Sequence, residues 1–476
     1  MPPPSTGSSP PPSSPVALPE AAKPAGKTWQ AGTLTYTSAG VVVLFCWLLF
    51  GDFSWAMRDR SVFPMAKWYL KSLEVPNVLF GLLVTSFPAL IGLFLGPVIS
   101  MKSDRHRGRW GRRIPFLLVT TPLAAFGMVG LGVTPFIAKW VHGHFPEQSE
   151  MVVSVLCFGV FWAAFEFATI AGQVVFTGLI NDVVPRPLLG RFFGLFRAVS
   201  LIDGVIFNYW IMGKVPDHFT LILVIVGVFY GASFMVVCLK VREGNYPPPP
   251  PVPVDERGRP VGAGTRIAGG MKTYARECFG SRYYLSVFVM LTFAGMAFLP
   301  VNTFSVPYAE SLGMSMDFYG KCLAVTYAIS FTLAYGIGWL VDRFHPLRVS
   351  MAAMAGYMLV ALAGTLVATT PERFAVIYVL HGVLSGAYMT SAASLGLRLF
   401  PQSKFAQFAS AAGVVYSLFM MTLGPAVGAV IDWTGNVYRH TFTVGCAVAL
   451  VTLTAQVLVH RQFMRFGGPK GYAAPE

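Results

Sequence analysis

Residues 96–117 read Gly96-Pro97-Val98-Ile99-Ser100-Met101-Lys102-Ser103-Asp104-Arg105-His106-Arg107-Gly108-Arg109-Trp110-Gly111-Arg112-Arg113-Ile114-Pro115-Phe116-Leu117. One apolar run ends just before this stretch and another begins inside it. Between them stand six basic residues (Lys102, Arg105, Arg107, Arg109, Arg112 and Arg113) against one acid, Asp104. So cationic a segment stays out of hydrocarbon and marks the cytoplasmic side of a bilayer. Any cluster of Lys and Arg would set topology. Here the pattern is also ordered: Gly-Pro at a helix end, one acid, Arg-Trp-Gly-Arg-Arg, then Pro-Phe. Irregular charged segments at a membrane boundary serve as gates or anchors. This one is expected to be a functional loop that also meets anionic lipid.

Outward from the loop, the chain is apolar. Its 476 residues are 54% hydrophobic and 12% charged, with a mean hydropathy of +0.60. A soluble domain averages about 25% charged, so the composition predicts an all-α, multi-pass membrane protein. The net charge of +14 does not point to nucleic acid, because the cations sit between apolar spans. The six cysteines are scattered without metal-ligand spacing and read as small hydrophobes. No cofactor or metal site is expected. Neither a Walker loop nor a nucleophile–base pair is present, so neither a transport ATPase nor an enzyme is expected.

Twelve apolar spans are expected, at roughly 36–57, 77–101, 114–136, 151–180, 191–212, 219–241, 284–309, 318–341, 349–369, 374–397, 406–431 and 440–459. With both termini in the cytoplasm, the cytoplasmic segments hold most of the 35 Lys and Arg. The division follows: a disordered Pro/Ser-rich tail (1–35), a six-helix bundle (36–241), a Pro-rich basic linker (242–282), a second six-helix bundle (283–460) and a tail (461–476). Five prolines from Pro247 to Pro251 favour an extended segment. Residues 265–282 are basic with some helical periodicity, which suits the membrane surface. Gly338-Trp339-Leu340-Val341-Asp342-Arg343 closes the eighth span as an echo of Asp104-Arg105.

Ionisable groups inside spans cost a few kcal/mol in hydrocarbon, about 2.5–3.5 at a helix centre on insertion scales. Asp52, Glu166, Arg197, Asp203 and His381 are such groups, and Asn302 lies between Pro300 and Pro307. They are expected to face a polar cavity or one another. Arg197 and Asp203 are six apart on one helix and need partners elsewhere. One reading makes Asp52 or Glu166 a proton-carrying acid with Arg197 as its counter-charge. The plainer alternative is a fixed ion pair locking helices. His381 reads as a hydrogen-bonded packing residue. Trp55 and Trp162 share helix faces with Asp52 and Glu166. A belt tryptophan explains Trp55, and Trp162 is the candidate to stack on a ligand.

Asp104-Arg105 followed by Gly111-Arg112-Arg113 resembles the signature loop between the second and third helices of major facilitator transporters. The longer form through Ile114-Pro115-Phe116 resembles the glycoside–pentoside–hexuronide:cation symporters and the sucrose/proton symporters. The resemblance implies a monomeric secondary transporter of the cytoplasmic (inner) membrane. It would import a glycoside or small saccharide by alternating access. It also implies a cytoplasmic gate of Gly96, Asp104, Arg105, Arg109, Gly111, Arg112 and Arg113, with Asp342 and Arg343 as the second-half counterpart. Asp182 and Arg191 match the acid-then-arginine pattern at the fourth-to-fifth helix junction. Melibiose-type relatives use two acids in the second helix for sodium. Residues 77–101 contain none, which moves the expected coupling ion to the proton. In this fold Asp104 is expected to meet the start of the eleventh helix, at 406–410, when the cytoplasmic side is closed. Rival expectations are a proton-driven exporter, a lysolipid carrier, and a membrane sensor without flux.

Overall fold

The computed structural model describes residues 27–248, 276–401 and 404–475. Among these, eleven helical stretches are long and apolar enough to cross a membrane. One of them, Arg186–Lys240, has 55 residues, about 80 Å if straight, more than twice a hydrocarbon core. It does not run straight. Helix α6 (Leu189–Ile206) passes through a π-helical turn and a 3₁₀ turn, Met212–Lys214, into α7 (Val215–Lys240). Phe192 of α6 meets Phe45, and Ser200 meets Arg60, so α6 runs with α1 (Ser38–Ser72). Val237, Tyr230 and Phe219 of α7 meet Gly51, Trp55 and Trp68, so α7 runs against it.

Residues 28–35, expected within the N-terminal tail, belong to a hairpin. Thr28–Ala31 (β1) and Leu34–Thr37 (β2) pair antiparallel around Gly32, whose φ is +58°. Thr, Trp and Tyr favour strands, and a glycine supplies the turn. Thr33 Oγ1 accepts from Asn245 N–H at 2.8 Å, which ties the hairpin to the segment after α7. Thr37 caps α1 through Gly40 N–H. The readings made for residues 1–26 and 249–275 lie outside the described residues.

The first span is also longer than expected. The hydropathy run stops at residue 57, yet α1 continues to Ser72. Val62, Met65, Ala66, Tyr69 and Leu70 fall at i, i+3, i+4, i+7 and i+8, and all are buried. The extension places Asp52 mid-helix and brings Arg58, Asp59, Arg60 and Lys67 into the bundle.

The second span is continuous: α2 (Asn77–Gly81), a π-helical turn Leu82–Ser86 and α3 (Phe87–Arg105). Then come α4 (Ile114–His144) and α5 (Glu150–Val183). The second half holds α8 (Arg282–Ser311), α9 (Met316–Phe344), α10 (Pro346–Val367), α11 (Pro371–Ala392), the short α12 (Leu395–Leu399), α13 (Phe405–Trp433) and α14 (His440–Arg465). The residues after α14 fold back: Tyr472 hydroxyl donates to the Leu399 carbonyl and meets Tyr283.

Among the described residues, the halves close on each other at one end. There α2 crosses α13 so closely that a Cβ on Gly424 or Gly428 would lie within 2.2 Å of Thr85 or Asn77. Asp432 accepts from the Asn77 and Val78 amides at the start of α2, both at 3.0 Å, and from Asn77 Nδ2 at 2.7 Å. Tyr438 and Asn436 complete this latch. Toward the other end, a Cβ on Gly92, Gly190, Gly194, Gly338 or Gly413 would meet nothing within 4 Å.

Candidate functional site: a cavity between the halves

A cavity of about 470 Å³ lies where the halves part, within the 300–1,000 Å³ usual for small-molecule sites. One wall is α1, with Asp59, Arg60, Phe63, Pro64 and Lys67. The other is the second half, with Asn302, Ser305, Tyr319, Tyr327, Tyr378, His381 and Ser385. Asn208, in the π-helical turn after α6, adds an amide.

The first-half wall is charged. Arg58 is fully buried and holds Asp59 by two hydrogen bonds, 3.0 and 2.7 Å. Its guanidinium lies 3.8 Å from the Trp55 ring centroid and donates to Tyr230. Arg60 donates to Tyr327 hydroxyl at 2.5 Å and Ser200 at 3.4 Å. Lys67 Nζ donates to the Asn302 carbonyl at 2.7 Å, across the halves. The second-half wall is neutral. Tyr319 hydroxyl meets Ser305 and Tyr378, each at 2.9 Å. His381 Nε2 bonds Asn302 Oδ1 at 3.0 Å, and its ring stacks on Tyr378.

Behind the charged wall are buried carboxyls. Asp52 and Asp203 lie within Coulombic reach of each other, and Glu166 is within reach of Arg58 and Asp59. Asp203 has no hydrogen-bond partner on either oxygen, and Asp52 and Glu166 each have one oxygen without a partner. Buried groups left so are uncommon.

Of the residues expected at a cavity, Asn302 and His381 line it, while Asp52, Asp203 and Glu166 lie behind its charged wall within Coulombic reach of Asp59; three readings are corrected. The cation beside Glu166 is Arg58; Arg197 lies near Arg60 and Tyr327. Trp162 does not face the cavity. It is 1% exposed, packs on Phe63, Phe158 and Phe165, and donates to the Leu83 carbonyl. Trp55 is not a belt residue but lies buried under Arg58. Sequence reasoning missed Arg58, Asp59, Arg60 and Lys67, although the helical spacing of residues 62–70 carried the signal.

At the open end the organising loop forms a network. Arg112 grips Asp182 through Nε at 2.8 Å and Nη2 at 2.5 Å, and Arg113 Nε adds 3.2 Å. The bond to Asp182 holds the Arg112 guanidinium above its ordinary pKa. Arg113 also bonds Asp104 and Ser103. Glu243, just past α7, accepts from the Arg112, Arg113 and Ile114 amides at 2.9, 2.8 and 2.7 Å, capping α4. Gly111 has φ +100°, and a Cβ there would lie 2.5 Å from the Glu243 carboxyl. Arg105, Arg109 and Arg191 are exposed, and a Cβ on Gly96 would just reach Val174, at 4.0 Å. Here the Asp104 carboxylate bonds Arg113; its contact with residues 406–410 was expected only with the cytoplasmic side closed. Asp342 and Arg343 are exposed too, and Arg343 lies over Trp339 and Phe344.

A two-bundle helical protein with a polar cavity between its halves is the architecture of a secondary transporter. The profile of the Major Facilitator Superfamily matches residues 167–425 and, overlapping, 285–462. The chain belongs to that superfamily. In fold it is similar to a bacterial homologue of the human lysosomal transporter Spinster, inward-facing and unoccupied. That likeness has a TM-score of 0.65 and 14% identity, over 93% of this chain and 100% of that one. It is also similar to the inward-open xylose transporter XylE from E. coli, with a TM-score of 0.60 and 13% identity, over 87% and 95%. Over 92 residues it is 33% identical to the mouse "Membrane-associated transporter protein", matching 19% of this chain and 16% of that protein's length.

Proposed function

We propose that the chain imports a glycoside or small saccharide together with protons, by alternating access, as the glycoside and sucrose symporters do. It would do so as a monomer in the cytoplasmic (inner) membrane, with twelve crossings and both termini inside. The reversal between α6 and α7 supports the count, because it makes two crossings of one long helical stretch. On this reading the structure is inward-open: the Asn77–Asp432 latch shuts the external face, and the loop network lies at the open cytoplasmic face.

The observation that carries the proposal is the pairing of two walls. Hydroxyl, amide and imidazole groups suit a ligand rich in hydroxyls. Carboxyls sealed behind the charged wall suit a proton that must be bound and released as the halves rock. A D-xylose–proton symporter shares the fold, which supports the reading without fixing the solute. The test is uptake of labelled sugars into proteoliposomes, with and without an inward proton gradient. Accumulation that requires the gradient is expected. Efflux driven by the gradient would replace import by export. Binding without flux would make the protein a sensor.

A further inference from the structure

We propose that the cleft beside the loop after the second span holds the phosphate headgroup of an anionic phospholipid, and that Arg107, Arg109 and Arg242 receive it. This is a second site, apart from the cavity between the halves, and it holds whatever solute that cavity takes.

The cleft has a volume of about 760 Å³. Two pieces of chain form it: the turn 107–111, and the end of α7 with the segment after it as far as Tyr246. The turn holds its own shape, because Gly108 and Gly111 exchange amide–carbonyl bonds at 3.3 and 3.1 Å. The two pieces are also joined. Arg107 Nε donates to the Pro247 carbonyl at 2.9 Å, and its guanidinium lies 5.7 Å from the Tyr246 ring centroid.

The charge of the cleft is uneven. Arg107, Arg109 and Arg242 line it, and among the described residues its one acid is Glu243. That carboxylate is already engaged: it accepts from the Arg112, Arg113 and Ile114 amides and from the Tyr246 hydroxyl. The neighbouring arginines of the loop, Arg112 and Arg113, share Asp182. Arg107 reaches only backbone carbonyls, of Asp104, His106 and Pro247. Among the described residues neither it nor Arg109 nor Arg242 makes an ion pair. Three cations thus converge on one formed cleft with no bonded counter-ion. Phosphate oxygens suit such a set, because a guanidinium offers them a planar fork.

The rim decides where the phosphate comes from. Leu239 and Trp110 line the cleft, yet are 55% and 50% exposed. Leu239 ends a stripe on α7: Leu221, Ile225, Val228 and Val236 share its face and are exposed with it. An exposed apolar stripe on a membrane-crossing helix meets lipid tails, so the cleft opens where hydrocarbon gives way to headgroups. Tryptophan favours that level, and basic pockets there bind anionic headgroups. A free phosphate ester would use the arginines and leave the stripe unused; a phospholipid uses both.

The test is native mass spectrometry of the purified full chain in an uncharged detergent. It is titrated with dioleoylphosphatidylglycerol or dioleoylphosphatidylcholine, which share their chains and differ in net charge. The anionic lipid should bind more tightly by roughly tenfold or more. Arg109→Gln combined with Arg242→Gln should bring the two lipids to within about threefold. Arg461→Gln combined with Arg465→Gln removes two exposed cations from the end of α14 and should leave the preference intact. Glycerophosphoglycerol, the same headgroup without chains, should not displace the lipid at equal concentration. An equal fall in the two double variants would reduce the preference to a general attraction to basic surface and overturn the proposal. Displacement by the chainless headgroup would also overturn it, by making the cleft a site for free phosphate esters. So would equal binding of the two lipids to the unaltered chain.

Discussion

The second and eighth spans end in the same pair, Asp104-Arg105 and Asp342-Arg343, but the loops that follow do different things. Around Asp104 the backbone and three arginines meet partners from far along the chain. Asp182 arrives on α5 and Glu243 from the segment beyond α7. Among the described residues neither Asp342 nor Arg343 makes an ion pair, and Arg343 rests on neighbouring rings. The sharp turn there is made by His345, with φ +77° and Nδ1 accepting the Leu347 N–H. A short repeated motif marks the end of a helix. Whether it becomes a network depends on residues that the motif does not contain.

The largest test of this contrast is Asp182→Asn. It leaves Arg112 and Arg113 without their shared carboxylate, in a place where the Arg113 side chain is 9% exposed and Asp182 12%. Removing one partner of a buried pair costs about 3–5 kcal/mol. A large fall in melting temperature in detergent is expected, and a fall no greater than that of Asp342→Asn would break the comparison. Glu243→Gln comes next. It keeps an acceptor but removes the charge at the start of α4, and a loss of about 1–2 kcal/mol is expected. Hydrogen exchange should quicken in residues 108–114 and stay unchanged in 342–348.

Asp104→Asn should cost less, roughly 0.5–1 kcal/mol, because its side chain is 49% exposed. Its effect should fall on the conformational balance. On the gate reading, loss of this anion should raise cytoplasmic cysteine accessibility and slow transport. Normal flux with unchanged accessibility would reduce Asp104 to a topology anchor.

The second loop answers to pH instead. Burial, with Arg398, Arg348 and His460 nearby, lowers the His345 imidazole to about 4. The unfolded chain takes up a proton near pH 6.5 that the folded one refuses. His345 therefore adds stability above about pH 6.5 that is lost as the pH falls toward 4. His345→Asn, which tolerates positive φ, should flatten that slope in thermal melts. The smallest effect belongs to Asp342→Asn, within about 0.5 kcal/mol of no change.

Hydropathy alone placed most of the helices, because a bilayer forces long apolar runs and paired loops. It failed at α1, where Arg58, Asp59 and Arg60 end the apolar run although the buried stripe continues to Leu70. Charge closes a hydropathy window whether or not a partner waits for it. The polar groups were legible singly: Asn302 and His381 line the cavity, and Asp52, Asp203 and Glu166 are buried behind its charged wall. Their pairings were not. Trp162 and Glu166 share a face, but spacing does not say that this face meets Phe63 and Phe165. Asn77 and Asp432, which join the halves, are 355 residues apart and leave no local pattern.

The glycine crossing of α2 and α13 behaves as a bearing. At Gly81 and Gly428 backbone meets backbone, and over Gly424 sits only the short Thr85 side chain. In lipid, such contacts adhere by dispersion and weak Cα–H···O bonds. They hold firmly at one separation and resist sliding little. A bulkier residue at Gly428 would work like grit in a journal: the halves would still be tethered, but they would turn stiffly.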